Sequence, residues 1–333
     1  MKNLIIISND KINYEKNNIS SDFNDTINII NTLKKKFNIY LVSLNSNKKQ
    51  LFRTSSSKIS KFDFKNSKKI DTKIFLVLMI SITPRNLLNF FYLKFLIKKN
   101  IKGFVYLRSD GFKEYNIKFG IMGYIFYSLI FDIIKSRLKI ISVKSKFTKI
   151  NTNRQLIPSE ITEKWLKGQK SNFNKDKLKI LYFGRFKKEK GFFYLIYLIQ
   201  KMNINYNFTL AGDKVTKKIN LKNTNFIGKI SSERDIIRLY DNNDIFVLPS
   251  YTEGCPKVMH ESISRMKPMI IFDEISHIKN MYKGIFCCKR NIIDFQKKIK
   301  YISKNYKLIQ QQMKKNKIFT KKEFQKNILK LVK

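Results

Sequence analysis

Two carboxylates eight positions apart, Glu253 and Glu261, are the residues of this chain best placed to do chemistry. They follow an apolar run, residues 245–248, whose length and flanking residues are typical of a short buried strand. Gly254 permits a tight turn, and Pro256 can occupy the first position of a helix. The free N–H groups and the dipole of such a helix start attract anions, while carboxylates bind hydroxyls. This strand–turn–helix segment therefore suits a phosphate-bearing sugar such as a nucleotide-sugar.

The segment also resembles a known family. Glu253, seven intervening residues and Glu261 match the E-x7-E motif of the retaining glycosyltransferases of family 4, which have the GT-B fold. The flanks match too, with Pro249-Ser250 before the first glutamate and residues 267–271 after the second. The resemblance covers about residues 178–290. It implies an α/β protein of the GT-B fold, in which two Rossmann-like doubly wound domains face a central cleft.

The resemblance also implies roles for individual residues. Glu253 would contact the donor sugar near the reacting centre, and Glu261 would hold the ribose hydroxyls of the nucleotide. The donor diphosphate would be held by Arg185, a planar fork, and Lys190, a mobile point charge. The full donor-binding set is expected to be Gly184, Arg185, Lys190, Gly254, Cys255, Pro256, Lys257, Val258 and Glu261. The alternatives are that the glutamates are a helix-dipole carboxylate and an exposed helix charge, and that Lys257 is a solvated helix residue.

Positive charge and N–H dipoles around a diphosphate stabilise it as a leaving group, so these residues can act without a metal ion. The chain has two histidines and three cysteines, two of them adjacent at Cys287 and Cys288, with no Cys/His cluster. We therefore expect no metal site, no cofactor and no disulfide framework.

Three departures from the family pattern bear on the site. Residues 8–11 stand where relatives usually have a glycine-rich turn after the first strand. Met266 stands where glycine is usual, so the helix that carries Glu261 is expected to end without a left-handed residue. Residues 273–276 replace a glycine pair that normally helps to hold the sugar, which leaves the identity of the donor sugar open.

Asp110 is the candidate for a second catalytic residue. It lies just after the fourth predicted strand, near the place where relatives often carry a polar catalytic or acceptor-binding residue. The alternative is that Asp110 and Gly111 simply make a turn.

The charge of the chain is extreme, with 68 basic and 24 acidic residues and a formal net charge of +44. This reflects either biased composition or attraction to an anionic partner: nucleic acid, a lipid surface or a phosphorylated substrate. The aromatic residues fall mostly in apolar runs, and lysine far outnumbers arginine, which disfavours specific nucleic-acid recognition.

The length of 333 residues favours two domains. Strands alternate with helices in both halves, which predicts parallel α/β sheets. We expect an acceptor-binding domain at 1–165, a nucleotide-sugar-binding domain at 166–307, and a helical tail at 308–333 that crosses back to the first domain. In the first half, strands are predicted at 4–8, 39–44, 74–80, 104–107 and 140–143, helices at 26–37 and 87–97, and an irregular segment at 45–73.

Residues 119–134 are almost wholly apolar and are flanked by Lys118 and Lys135. They form either a buried helix or an interfacial helix on anionic lipid. No stretch is long enough to cross a membrane, and the first apolar run is too short for a signal peptide. We expect a protein on the cytoplasmic side, peripheral on the inner face of the cell membrane.

The sequence therefore predicts a retaining enzyme that moves a sugar from a nucleotide-sugar to a glycan or polyprenyl-linked acceptor, in the synthesis of a bacterial-type surface polysaccharide. A basic nucleic-acid-binding protein and an inactive homologue are the alternatives.

Overall fold

The structure is a computed structural model that describes residues 2–48, 50, 52–64, 75–97, 101–143, 154–169, 173, 177–202, 206–213 and 221–332. The chain divides into two compact units: the first comprises Met1–Pro158 and Lys322–Lys333, the second Ser159–Lys321. The boundary expected at 165/166 therefore falls after Pro158 instead. The reason is that Ser159 and Thr162 hydrogen-bond to Phe319 and Glu233 of the second unit.

The first unit is built on a mostly parallel sheet in which β2 and β4 run antiparallel to their neighbours. Its strands are β1 (Lys2–Tyr14), β2 (Asn18–Ser21), β3 (Phe37–Asn45), β4 (Phe52–Ser55), β5 (Ile59–Lys61), β6 (Phe75–Ile80), β7 (Lys102–Leu107) and β8 (Lys139–Ser142). Its helices are α1 (Asn24–Leu33), α2 (Pro84–Ile97) and α3 (Gly111–Lys135).

The parallel strands of this sheet run in the order β5-β3-β1-β6-β7-β8. The chain order of these six strands is thus 3-2-1-4-5-6, the doubly wound arrangement, in which the direction of winding reverses between β1 and β6. Because a ligand in such a sheet binds outside the carboxyl ends of the strands at that point, residues just after β6 and near Ser8 are in position to meet one.

The segment predicted to be irregular, 45–73, contains two strands among its described residues. β4 pairs with β2 antiparallel, and β5 pairs with β3 parallel. Both strands are short and lie at the edges of the sheet, so they carry few apolar residues and leave little pattern in the sequence.

The missing glycine turn has a consequence as well: β1 does not turn at residues 8–11 but continues to Tyr14, where it pairs with β2.

The second unit contains a six-stranded parallel sheet. Its strands are β9 (Lys179–Gly184), β10 (Asn207–Gly212), β11 (Thr224–Ile227), β12 (Ile245–Leu248), β13 (Met269–Phe272) and β14 (Ile285–Cys288). Their order, β11-β10-β9-β12-β13-β14, is again 3-2-1-4-5-6, with the reversal between β9 and β12. The helices of the second unit are α4 (Glu163–Leu166), α5 (Phe192–Lys201), α6 (Glu233–Asp241), α7 (Lys257–Ser264), α8 (Ile292–Lys304) and α9 (Tyr306–Met313). The last helix of the chain, α10 (Lys321–Leu331), begins at the boundary.

Helix α3 is sharply bent rather than straight. Gly120 has φ 64° and ψ −155°, outside the helical region. The Phe112 and Phe131 rings lie 5.0 Å apart although the residues are nineteen positions apart; a straight helix would separate them by about 28 Å. Gly123 permits this fold-back, because a Cβ there would lie 2.4 Å from the Tyr115 carbonyl oxygen. Residues 111–119 and 121–135 are therefore two arms packed against each other.

This bend determines whether the apolar helix α3 could span a membrane. By length and composition, α3 is the one helix among the described residues that could cross a membrane, with 28% of its most apolar window buried. This match to length and composition holds for the helix taken as one straight segment, which the bend at Gly120 excludes. The second arm has only fifteen residues, however, and spans about 22 Å against about 30 Å of hydrocarbon.

Candidate functional site

The candidate site lies at the reversal point of the second sheet, where β9 and β12 end side by side. A cavity of about 130 Å³ opens there. Six residues of the predicted donor and catalytic set line it: Gly184, Lys190, Glu253, Pro256, Lys257 and Val258. The remaining predicted donor residues, Arg185, Gly254, Cys255 and Glu261, are neighbours in the chain but do not line the cavity. Thus the sequence placed most of this set in one location.

The loop after β9 is held in a defined shape. The Tyr182 hydroxyl donates to the Arg185 carbonyl oxygen at 2.7 Å, and the Phe186 amide donates to Asp213 at 3.0 Å. Gly191, which leads into α5, has φ 68°, and a Cβ there would lie 1.9 Å from the Pro249 carbonyl oxygen. Only glycine fits this position, so Gly191 sets the close approach of the two loops. The Arg185 side chain is left exposed to solvent.

Lys190 and Glu253 form an ion pair in the cavity wall. Lys190 Nζ lies 2.6 Å from Glu253 Oε1, and the Ser250 hydroxyl donates to the same oxygen at 2.7 Å. The two side chains are 23% and 10% exposed. In this structure, the cation expected at the diphosphate is therefore bound to the carboxylate expected at the sugar.

Helix α7 begins beside this pair. Pro256 precedes its first residue, and no side chain caps the first N–H groups. Val258 and Lys257 of this first turn line the cavity, and Lys257 forms an ion pair with Glu160 at 3.2 Å. A helix start of this kind offers N–H groups and a positive dipole end to an anion.

Glu261 lies one turn further along α7 and is 9% exposed. The Tyr240 hydroxyl donates to its Oε2 at 3.0 Å. Burial raises the pKa of Glu261 to about 7, although the Tyr240 hydrogen bond and Lys257 act in the opposite direction. Hence Glu261 is a carboxyl that gains or loses a proton near neutral pH, and it is not an exposed helix charge.

His260 precedes Glu261 and is fully buried. Its Nδ1 lies 2.8 Å from the Tyr282 hydroxyl and its Nε2 lies 3.3 Å from Cys255 Sγ. Burial lowers the pKa of His260 to about 3, so the imidazole is neutral. Within the described residues, His, Cys, Asp and Glu form no group of three or more that could hold a metal ion.

The end of α7 differs from expectation. Met266 does adopt the left-handed conformation, with φ 59°. Its side chain is buried, and its carbonyl oxygen accepts a hydrogen bond from Gln310 at 3.0 Å. Packing and this hydrogen bond thus hold a methionine where glycine would be strained less.

Arg290 contacts the loop that carries Glu253, and no feature of the sequence indicated this role. It binds Glu274 through two nitrogens, at 2.5 and 3.0 Å, and donates to the Pro249 and Ser250 carbonyl oxygens at 3.0 and 3.3 Å. Its guanidinium also lies 4.0 Å from the Tyr251 ring centroid. Arg290 therefore fixes the loop that carries Glu253. Because it lies 37 positions after Glu253, no local pattern connects the two.

Asp110 belongs to the first unit, where it begins α3. Its side chain accepts a hydrogen bond from the Lys113 amide at 3.2 Å, as a helix N-cap does. It does not line the cavity of about 280 Å³ near the reversal point of this sheet. This geometry accounts for Asp110 by a structural role, and a catalytic role remains a prediction.

That cavity contains a polar cluster that the sequence analysis did not single out. Arg108 lies in its wall, 3.5 Å from the buried carboxylate of Asp10 and 3.4 Å from the Ser81 hydroxyl. Ser81 has φ 68°, an uncommon value for a residue other than glycine, and such strain clusters at functional sites. The sequence clue was the placement of Asp10 and Ser81 where apolar strand residues end.

Comparison with known proteins finds a family match within the second unit. Residues 163–319 match the family model for "Glycosyl transferases group 1". A Campylobacter jejuni N,N'-diacetylbacillosaminyl-diphospho-undecaprenol alpha-1,3-N-acetylgalactosaminyltransferase is 30% identical over 109 residues, which are 31% of this chain and 29% of that protein. An uncharacterized glycosyltransferase of Methanocaldococcus jannaschii is 25% identical over 242 residues, 65% of this chain and 57% of that protein. The chain thus spans about a third to a little over half of these relatives.

Solved structures match along the whole chain. Anabaena HepE, in complex with UDP and glucose, has a TM-score of 0.68 at 10% identity, covering 100% of this chain and 99% of that one. Sucrose-phosphate synthase from Thermosynechococcus elongatus has a TM-score of 0.67 at 12% identity, covering 100% and 95%. At these identities the likeness concerns the fold alone, and it confirms the GT-B fold predicted from the sequence.

Proposed function

We propose that the protein, whose residues 163–319 match the glycosyl transferases group 1 family model, transfers a sugar from a nucleotide-sugar to a glycan or lipid-linked acceptor with retention of configuration. The observation that carries the proposal is the convergence of Gly184, Lys190, Glu253 and the start of α7 on one cavity at the reversal point of a doubly wound sheet. Sites at this point bind nucleotides because the strand ends present loops and helix starts.

The second unit supplies the groups that a nucleoside diphosphate needs. Arg185 is exposed beside the cavity and is free to reach a diphosphate, and the amides at the start of α7 add N–H donors. Both stabilise negative charge as the leaving group departs. Glu261 takes the ribose hydroxyls in this proposal, since its ionised form accepts hydrogen bonds.

Lys190 and Glu253 bind different parts of the donor in this proposal: Lys190 the diphosphate and Glu253 the sugar. When the donor binds, its diphosphate competes with Glu253 for the Lys190 ammonium. Glu253 then becomes available to the sugar, held in place by Ser250. The ion pair keeps both side chains close to where they act, so less side-chain freedom is lost on binding.

We place the acceptor in the first unit, at the cavity that contains Arg108. Its polar lining includes the guanidinium of Arg108, the ammonium of Lys118, hydroxyls such as that of Ser81, and one carboxylate, that of Glu114. These groups suit an acceptor that bears phosphate as well as sugar hydroxyls. A surface polysaccharide is our proposal for the product, and the enzyme then works peripherally at the inner, cytoplasmic face of the membrane.

Thermal unfolding with UDP, GDP, ADP and CMP tests the donor half of the proposal. A ligand that binds only the folded protein stabilises it by about 2.7 kcal/mol at a hundred times its Kd. We expect one nucleoside diphosphate to raise the melting temperature of the wild type, and a smaller rise in Lys190→Met. Lys188→Met, which removes an exposed charge two positions away, should respond like the wild type. A melting temperature that none of the four nucleotides raises would contradict the proposal.

A further inference from the structure

The bent helix α3 presents a cluster of apolar side chains to solvent. We call this cluster the apolar wedge; it comprises Ile117, Phe119, Ile121, Met122, Ile125, Phe126, Leu129 and Ile133, which are 40–70% exposed. The greatest exposure is at the bend itself, where Phe119 and Ile121 are each 66% exposed and Met122 is 70% exposed. A cluster of exposed apolar side chains on one segment of a folded protein indicates an interaction site.

The wedge is distinct from the core-facing side of the same helix. On the second arm, Tyr127, Ile130 and Phe131 are 3–5% exposed and pack into the core of the first unit. The wedge residues 122, 125, 129 and 133 repeat at helical spacing on the opposite side. Both sides of the arm are therefore apolar, whereas a helix that covers a core in water has one polar side.

Glycine builds the tip of the wedge. The positive φ of Gly120 turns the chain between Phe119 and Ile121, and a Cβ at Gly120 would meet no atom within 4 Å. The requirement at Gly120 is thus conformational and does not come from crowding. The bend projects the apolar side chains of Phe119 and Ile121 outward. A protruding apolar turn of this kind can insert into a lipid bilayer.

The charges around the wedge point to an anionic surface. Lys118 lies at the bend, and Lys135 and Arg137 lie at the far end of the second arm, all exposed. Between residues 115 and 137, Asp132 is the one acidic residue. An apolar face flanked by cations is the composition of a helix that lies in the headgroup region of an anionic bilayer.

We propose that the apolar wedge docks the first unit into an anionic lipid bilayer, with Phe119, Ile121 and Met122 entering the acyl boundary and Lys118 meeting lipid phosphate. The inference deepens the proposed function, on which it rests for its purpose, because the docked surface is where a lipid-linked acceptor is found. Lys118 and Phe119 also line the cavity that contains Arg108. A phosphate-bearing head group at the bend therefore has a path to that guanidinium without leaving the membrane surface.

Vesicle flotation tests the docking with the full chain and needs neither a nucleotide-sugar nor turnover. Its failure is thus distinguishable from a failure of the proposed activity. The probes are vesicles of phosphatidylcholine alone and vesicles of phosphatidylcholine and phosphatidylglycerol in equal parts. The variants are Phe119→Ser and Met122→Ser, with Ile293→Ser as the matched control. Ile293 is an apolar side chain of the second unit. It is 62% exposed, a fraction similar to that of Phe119.

We expect the wild type and Ile293→Ser to float with the mixed vesicles. Each wedge variant should bind these vesicles at least about tenfold more weakly, because it has lost one large apolar side chain that would leave water on binding. High salt should weaken the vesicle binding of all four proteins. The difference in binding between the wild type and the wedge variants should remain. Since Phe119 and Met122 are exposed, both variants should keep the wild-type melting temperature, and if one of them does not fold the other decides.

Three results would overturn the proposal. The first is a wild type that does not float with mixed vesicles. The second is wedge variants that float as well as the wild type, which would assign binding to charge alone. The third is self-association of the wild type without lipid, measured by sedimentation velocity, together with monomeric wedge variants. That result would assign the wedge to contact with a second copy of the chain.

Discussion

The Lys190 ammonium lies 2.6 Å from Glu253 Oε1, which also accepts a hydrogen bond from the Ser250 hydroxyl. Two residues with different expected partners, a diphosphate and a sugar, are therefore bound to each other in the structure. Any experiment that changes one of them also changes the state of the other.

This coupling is measurable by a double-mutant cycle. Lys190→Met and Glu253→Gln should each destabilise the protein, and the double variant should be more stable than the sum of the two effects predicts, by about 1–2 kcal/mol. The reason is that each single variant leaves a half-buried charge without its partner. Chemical denaturation of the four proteins measures the coupling; additive effects would show that the ion pair contributes nothing.

Arg185 should matter for the nucleotide and not for folding. Its side chain is exposed, so Arg185→Ala should leave the melting temperature within about 1 °C of the wild type while weakening nucleoside-diphosphate binding by about 1.5–3 kcal/mol, the usual value for hydrogen bonds to charged groups. Calorimetry on the variant measures this loss. Lys187→Ala, an exposed cation of the same loop, serves as the control, and equal affinities in all three proteins would remove Arg185 from the site.

Glu261 should make stability depend on pH. Its folded pKa of about 7 exceeds the ordinary value of 4.5, so as the pH rises through this window the unfolded chain loses the proton before the folded one does. The wild type should therefore lose about 3 kcal/mol relative to Glu261→Gln between these pH values, with no further change above them. Urea unfolding of both proteins across the window checks the sign; parallel curves would contradict it.

Arg290 should act on the site by positioning. Arg290→Gln loses the paired hydrogen bonds to Glu274 and the contacts with the Pro249 and Ser250 carbonyl oxygens. We expect a loss of about 2–3 kcal/mol in stability and a lower kcat with KM less affected, because Glu253 is less well held. Arg290→Lys should recover part of the stability but less of the kcat, since lysine lacks the planar fork that holds the loop. A kcat that Arg290→Gln leaves unchanged would contradict the positioning role.

Gly191 should not tolerate a side chain. Gly191→Ala places a Cβ 1.9 Å from the Pro249 carbonyl oxygen at a φ of 68°, and we expect it to destabilise the second unit by about 2–4 kcal/mol. Gly228→Ala is the matched control, because a Cβ there meets no atom within 4 Å. Thermal unfolding compares the two, and equal melting temperatures would show that the loop can move aside.

The sequence predicted β12 to the residue, because a strand buried on both faces appears as an uninterrupted apolar run. It missed β2, β4 and β5, which are short and polar, and it missed β14, whose two cysteines attracted attention as thiols only. Within the site it identified residues close in the chain. It could not identify the contact of Glu261 with Tyr240, twenty-one positions away, or that of Arg290 with the β12 loop, since both depend on the folded arrangement of distant segments.

The division of the chain has a consequence for its synthesis. Residues Lys322–Lys333 group with Met1–Pro158, while everything between them forms the second unit. Phe324, Ile328 and Val332 in this segment are 0–4% exposed, so their burial is part of the folded state. On the ribosome, the first 158 residues emerge well before these three side chains exist. The first unit is therefore completed only after the second unit has been translated, and the second unit can fold while the first still lacks residues 322–333.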